Sequence, residues 1–309
     1  MEKQNTKHLL FLFAGVILLL CGACGRPGIE KGSEEFIREE LEWRSLRDQE
    51  MKEPASWLTI AGLFWLEEGE SSFGTANSSA IQLPENSSPL TVGKFVRNQD
   101  EIKVMTKVDG LIKFNGQFIT ERVLKSDVSG QPDIIEINDL RLWIIKRAER
   151  FAVRLRDLNT PRFKNYTGLD FFPPDPRFKI EADFIAYPDP KTITVATMVG
   201  TESDMIAPGY LQFEIDGKHF ELEAFEVGSD LKRFFIIFRD GTSGEETYGA
   251  SRFMTVSKLE NGKVDLNFNR AHNPPCAYTP YATCPLPPDK NELEIRITAG
   301  EKNYPGSSH

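Results

Sequence analysis

Apolar residues recur at helical spacing in one segment near the start of the chain. Phe36, Trp43 and Leu46 fall on one face of such a helix. Ser33 is a favourable N-cap before this segment, and Pro54 ends it, since proline interrupts the hydrogen-bond ladder of a helix. The pattern therefore predicts one helix between these two residues, with its apolar face packed on the body of the protein.

From Trp57 onward, the pattern changes to the alternation that is typical of β-strands. The clearest runs read "KFVRNQDEIKVMTKV", "LRLWIIKRAERFAVRLRD" and "KRFFIIF". The dipeptides Asp216-Gly217 and Asn261-Gly262 lie between such runs and favour tight hairpins. Since almost no helical pattern follows, we predict an all-β fold of two antiparallel β-sandwich or open-barrel units, preceded by one N-terminal helix.

The N-terminus has the layout of an export signal. Lys3 and Lys7 precede a run of apolar residues from Leu9 to Leu20. As a helix this run would rise about 18 Å, which is well short of the roughly 30 Å hydrocarbon core of a membrane. The run therefore predicts a cleaved leader rather than a permanent transmembrane helix.

The end of this leader, "LCGACG", resembles a bacterial lipoprotein signal. The resemblance implies cleavage before Cys24 and a lipid on that cysteine, which would anchor the chain to a membrane. An ordinary leader without a lipid stays an alternative. Gly25 and Arg26 follow where an aspartate would oppose outer-membrane sorting. We expect a cell-envelope protein, on the periplasmic side of the outer membrane in a cell with two membranes.

A segment rich in proline and aromatic residues separates the two predicted β units, because prolines interrupt sheet ladders. The opening of the first unit, at 62–84, loosely resembles forkhead-associated sandwiches in fold alone. The predicted organisation is a signal peptide at 1–23, a tether at 24–32, the helix at 33–54, a first β unit at 55–160, the connector at 161–178, a second β unit at 179–301 and a tail at 302–309.

The charge balance limits the classes of partner. The formal net charge is −9, and the chain carries no basic run. Nucleic acid is therefore excluded as an expected partner, since it binds through clustered cations. No motif for a cofactor is present, so none is expected.

Three stretches of the chain together resemble the DUF1684 family of bacterial and archaeal proteins. They read "WLTIAGLFWLEEGESSFG", "FRDGTSGEETYGASRFM" and "LNFNRAHNPPCAYTPYATCPLPPDKNELEIRITAGEK". The resemblance runs from about Trp57 to Glu301, and its "NPPC…YATCPLPP" block is the most specific part. It implies the extent of the folded region and no particular chemistry.

Candidate chemistry concentrates in residues 269–288, which contain six prolines and two cysteines. Cys276 and Cys284 are close enough in sequence to form a disulfide, and an oxidising compartment would permit it. Two buried free thiols are the alternative. No metal site is predicted, because His272 is the only imidazole nearby and no second pair of ligands exists.

Two functional hypotheses fit this loop. As a hydrolase-type site, Cys276 would be the nucleophile, His272 its base and Asp240 the orienting group. As a rigid polar pocket, the loop would hold a small anionic ligand through four side chains: Arg252, Asn269, Arg270 and Asn273.

The structural alternative is that these arginines pair with acidic residues of the protein itself, such as Asp240, Glu245 or Glu246. We expect a lipid-anchored binding or scaffold module, and the sequence leaves enzymatic activity open.

Overall fold

The structure is a computed structural model that describes residues 32–227 and 232–307. The predicted signal peptide, the lipidation site at Cys24 and nearly all of the tether lie outside the described residues. Among those that are described, no helix is both long and apolar enough to cross a membrane.

Helix α1 spans Glu34–Met51, and the side chain of Ser33 caps it by accepting a hydrogen bond from the backbone N–H of Phe36. The docked face agrees with the predicted one only in part. Phe36 and Met51 are buried, whereas Leu46 is 54% exposed. Glu40 is fully buried instead, so α1 docks through charged as well as apolar groups.

The first β unit consists of two sheets, one of six strands and one of five, that pack around a shared apolar core. The six-stranded sheet has the order β1-β11-β10-β9-β6-β7, and the five-stranded sheet has the order β3-β2-β4-β5-β8. All pairs are antiparallel except β2 with β3. The strands are β1 Ile60–Leu66, β2 Gly69–Gly74, β3 Ile81–Gln82, β4 Gly93–Asn98, β5 Glu101–Thr106, β6 Lys113–Phe114, β7 Gln117–Phe118, β8 Glu121–Val123, β9 Ile135–Ile137, β10 Leu140–Arg147 and β11 Arg150–Asp157.

The second unit is a closed barrel in which consecutive strands pair and the last strand returns to the first. Its strands are β12 Lys179–Ala196, β13 Glu202–Ile215, β14 Lys218–Glu226, β15 Arg233–Phe238, β16 Arg252–Lys258 and β17 Lys263–Asn267. A short helix, α2 (Pro161–Lys164), lies between the two units. The predicted all-β class is confirmed, and the predicted boundaries of the domains stay a prediction.

The predicted hairpins are present. Asp216 and Gly217 both have positive φ, at 51° and 76°, and Ile215 pairs with Lys218 across them. This conformation matches the twist of the flanking strands, and glycine adopts it without steric cost.

The barrel strands bury residues on both of their faces. In β15, Phe234 and Ile236 point into the barrel core, whereas Ile237 belongs to a separate apolar cluster outside it. This outer cluster also contains Met51 of α1 and Cys276. The continuous apolar run "FFIIF" thus reflects a strand that is covered on its outer side by other parts of the chain.

Candidate functional site

The loop at 269–288, here called the clasp, is hydrogen-bonded to the barrel near both of its ends. The backbone groups of His272 and Phe253 bond to each other in both directions, at 2.9 Å each. Further along, Leu286 N–H donates to Ala196 O at 2.8 Å, which attaches the clasp to the end of β12. The clasp is therefore a fixed part of the barrel wall.

Cys276 and Cys284 form a disulfide, with 6.2 Å between their Cα atoms. Both residues are buried in the outer apolar cluster, 6% and 4% exposed. The backbone N–H of Cys276 also points at the Sγ of Cys284, at 3.2 Å. In this oxidised form Cys276 has no thiolate with which to attack a substrate.

Arg252 and Asp240 form an ion pair that is almost completely buried, with 2.6 Å between the guanidinium and the carboxylate. The same guanidinium donates to Ile297 O at 3.0 Å and to Ala299 O. Thr242 donates to the other oxygen of Asp240 through its backbone N–H, at 2.6 Å. The structure thus pairs Arg252 with an acidic residue of the protein itself, as in the structural alternative.

Arg270 is paired with Glu40 of helix α1. Its guanidinium lies 3.1 Å from the carboxylate, which is fully buried and also accepts a hydrogen bond from Asn267 at 2.8 Å. Together, these contacts attach α1 to the clasp by charged hydrogen bonds.

The two asparagines predicted to bind a ligand bond instead to the backbone of neighbouring segments. Asn269, which is fully buried, accepts from Asp175 N–H at 2.8 Å and donates to Asp175 O at 2.9 Å. Asn273 donates to Lys302 O at 2.8 Å through its side-chain amide. They position the connector and the C-terminal segment, respectively.

His272 is partly buried, and its Nδ1 lies 3.2 Å from Arg270 O. Burial lowers the pKa of its imidazole, and the nearby Arg47 lowers it further. In the described part of the chain, no hydrogen bond or ion pair joins His272 to Asp240. The three residues predicted as a catalytic set are therefore not brought together as a nucleophile, a base and an orienting group.

Glu301 is a central residue that the sequence patterns did not predict. Its buried carboxylate accepts from Arg47 Nε at 2.9 Å, from Asn273 N–H at 2.8 Å and from Tyr278 OH at 2.8 Å. Burial raises the pKa of the Tyr278 hydroxyl well above its usual value, and the Glu301 charge adds to this. The sequence gives a faint signal only, an acidic residue at the end of the "LEIRITAGEK" run.

A polar cleft of about 680 Å³ lies beside the clasp, at the junction of the two β units. Lys146 and Arg147, at the end of β10, line it from the first unit. Residues 201–204, which include the start of β13, line it from the barrel, and Thr283 lines it from the clasp. The cleft could not be predicted from the sequence, because residues far apart in the chain form it.

In the described residues, no group of three or more His, Cys, Asp or Glu side chains is arranged to hold a metal ion.

A family model described as "Protein of unknown function (DUF1684)" matches residues 164–302, which include the barrel and the clasp. The chain is also similar to an uncharacterized protein of Haloarcula marismortui, which is known from a solution NMR structure. The identity is 33%, over 45% of this chain and 78% of that chain, with a TM-score of 0.38. The chain matches no curated protein.

Proposed function

We propose that this chain, which belongs to the DUF1684 family, is a lipid-anchored binding or scaffold module of the cell envelope. The lipid is carried by Cys24, and in a cell with two membranes the protein faces the periplasm from the outer membrane. The sequence of the leader supports this location. The clasp holds helix α1, the barrel and the first β unit in one arrangement.

The observation that carries the proposal is that the four side chains predicted to bind a ligand already have partners within the protein. Arg252 and Arg270 are each paired with a carboxylate of the protein, and the amides of Asn269 and Asn273 are bound to backbone groups. A site for a small ligand needs a few polar side chains that the ligand can reach. Groups that already have internal partners favour a structural role for the clasp.

No contact among the described residues favours the hydrolase alternative. Cys276 is bridged to Cys284, and the carboxylate of Asp240 bonds to Arg252 and Thr242. A small anionic ligand remains part of the proposal, but it requires donors other than the four residues predicted from the sequence.

The experiment compares Asn273→Ala and His272→Gln with the wild type in urea unfolding and in hydrolysis of a panel of esters. Loss of the Asn273 amide is expected to lower the free energy of unfolding by about 1 kcal/mol, with no turnover in any protein. Asn98→Ala, at an exposed position, is the control and should retain wild-type stability. Ester turnover by the wild type that disappears in a fully stable His272→Gln variant would instead establish an enzyme.

A second experiment tests the proposed location. The wild type, made with its leader in a bacterium, is expected in the membrane fraction, and Cys24→Ser in the soluble fraction. Equal partitioning of the two proteins would overturn the lipid anchor.

A further inference from the structure

The cleft beside the clasp has a cationic wall on the side of the first β unit. Arg147 donates to Asp127 at 2.6 Å and to the hydroxyl of Thr283 at 3.1 Å. The neighbouring Lys146 side chain is 20% exposed, and its acidic partners, Asp100 and Glu149, are 79% and 92% exposed. Such exposed pairs are screened by water and neutralise little of the charge.

A further cation lies close to this wall. Arg154 on β11 is only 4% exposed, donates to Tyr281 O at 3.3 Å, and leaves its Nε without an acceptor. Within the described residues it forms no ion pair. Burial and the nearby charge of Arg147 lower the pKa of Arg154 to about 10, so it remains charged at neutral pH. Asp127, which pairs with Arg147, supplies one negative charge for the two arginines.

The barrel side of the cleft has the opposite charge. Glu202 and Asp204 both line it, and neither forms an ion pair in the described part of the chain. Asp204 accepts a hydrogen bond from Thr194 at 2.6 Å, which fixes the position of its carboxylate. The cations of one wall and the carboxylates of the other therefore do not reach each other across the gap.

Between these walls the cleft presents hydroxyl groups. Thr197 and Thr201 bond to each other at 2.8 Å, and Ser203 and Thr283 complete the set. Hydroxyls both donate and accept hydrogen bonds, so they suit a ligand with amide groups. The volume lies in the usual range for sites that bind small molecules.

We propose that this cleft binds a zwitterionic ligand of the amino-acid or short-peptide class. The carboxylate of the ligand binds at Arg147, its ammonium group binds at Glu202 and Asp204, and the hydroxyls contact its peptide groups. The ligand completes the ion pairs that the two walls cannot form with each other. This inference rests on the proposed role as a binding module, because it names the ligand of that module.

The test uses three peptides that differ in end charge alone: triglycine, N-acetyltriglycine and triglycinamide. Calorimetric titration of the full chain in detergent, at low salt and pH 7, is expected to show binding of triglycine. Each blocked peptide should bind at least tenfold more weakly, because it leaves one charged wall unpaired.

Substitutions in the two walls test which wall binds the carboxylate of the ligand and which binds its ammonium group. Arg147→Gln should weaken triglycine binding about tenfold and should reduce the preference for triglycine over triglycinamide. Glu202→Gln/Asp204→Asn should remove the preference over N-acetyltriglycine. Lys94→Gln, a change in the smaller sheet, is the matched control and should bind as the wild type does.

Two results would overturn this inference: no binding of triglycine, or equal binding of all three peptides. Either would leave the proposed function standing, because the unfolding and ester experiments on Asn273 and His272 test that function separately.

Discussion

Arg252 shows how a single buried charge can organise a segment of chain. Removing a guanidinium and a carboxylate from water is unfavourable, and the pair is retained where good geometry and further hydrogen bonds offset that cost. Here Asp240 and two backbone carbonyls supply those bonds. Gly300 lies beside this ion pair with φ of 82°. A larger residue would not fit there, because its Cβ would lie 2.4 Å from Ala271 O. The pair thus fixes the C-terminal segment against β16.

His272 provides a pH-dependent test at this scale. Its folded-state pKa is lowered from 6.5, whereas the unfolded chain takes up a proton as the pH falls through that value. Stability is therefore fully present above about pH 6.5 and declines below it. Between pH 7.5 and 5.5 in urea unfolding, His272→Gln should lose less stability than the wild type, by up to about 1.4 kcal/mol.

The control for this experiment is His219→Gln, which removes an imidazole that is 79% exposed. Arg47, Glu301 and Glu50 are the charged groups that interact with His272, and they are unchanged in both variants. Identical pH dependence in the wild type and His272→Gln would show that the imidazole is not held neutral.

At the scale of elements, helix α1 illustrates what a sequence pattern can and cannot predict. Its presence and its cap at Ser33 follow from spacing and from local hydrogen bonding, which depend on neighbouring residues alone. The face of the helix that docks on the rest of the protein does not follow from these local features. Glu40 replaces Leu46 in the interface because Arg270 and Asn267, more than 200 residues away, provide partners for the carboxylate. Nothing in the sequence of the helix itself indicates those partners.

Glu40→Gln tests the docking of α1. The change keeps the shape of the side chain but leaves Arg270 and Asn267 without a charged acceptor, which should lower the free energy of unfolding by about 2 kcal/mol. Glu42→Gln is the matched control on the exposed face and should be neutral. A thermal melt that shifts equally in the two variants would contradict the docking role of Glu40.

At the scale of the whole molecule, the class of the fold was predictable and the site was not. Strand alternation and turns such as Asp216-Gly217 are local signals, so the all-β class follows from them. Barrel closure, through the pairing of β12 with β17, and the cleft at Arg147 and Thr283 depend on contacts between distant segments. The sequence correctly indicated the importance of residues 269–288, but it could not show that their polar groups already have partners.

Glu301 joins three separate parts of the chain, so its loss should destabilise some regions more than others. It binds Arg47 of α1 and two residues of the clasp, and Phe171 of the connector forms a β-bridge with its backbone. In Glu301→Gln the backbone bridge remains, but the guanidinium of Arg47, whose side chain is 13% exposed, loses its buried counter-charge. Breaking such a pair costs about 3 kcal/mol.

Amide hydrogen exchange measures which parts of the chain lose stability in this variant. In Glu301→Gln the amides of α1 and of the clasp should exchange about 100-fold faster, whereas those of Ile144 and Val153 in the first β unit should keep their protection. Glu292→Gln, which removes a 53% exposed carboxylate, is the control and should change neither set. An equal increase in the exchange rates of α1 and of the first β unit would mean that the whole chain unfolds cooperatively as one unit. In that case the ion pairs at Glu301 would stabilise the global fold, rather than hold the helix and the clasp in place locally.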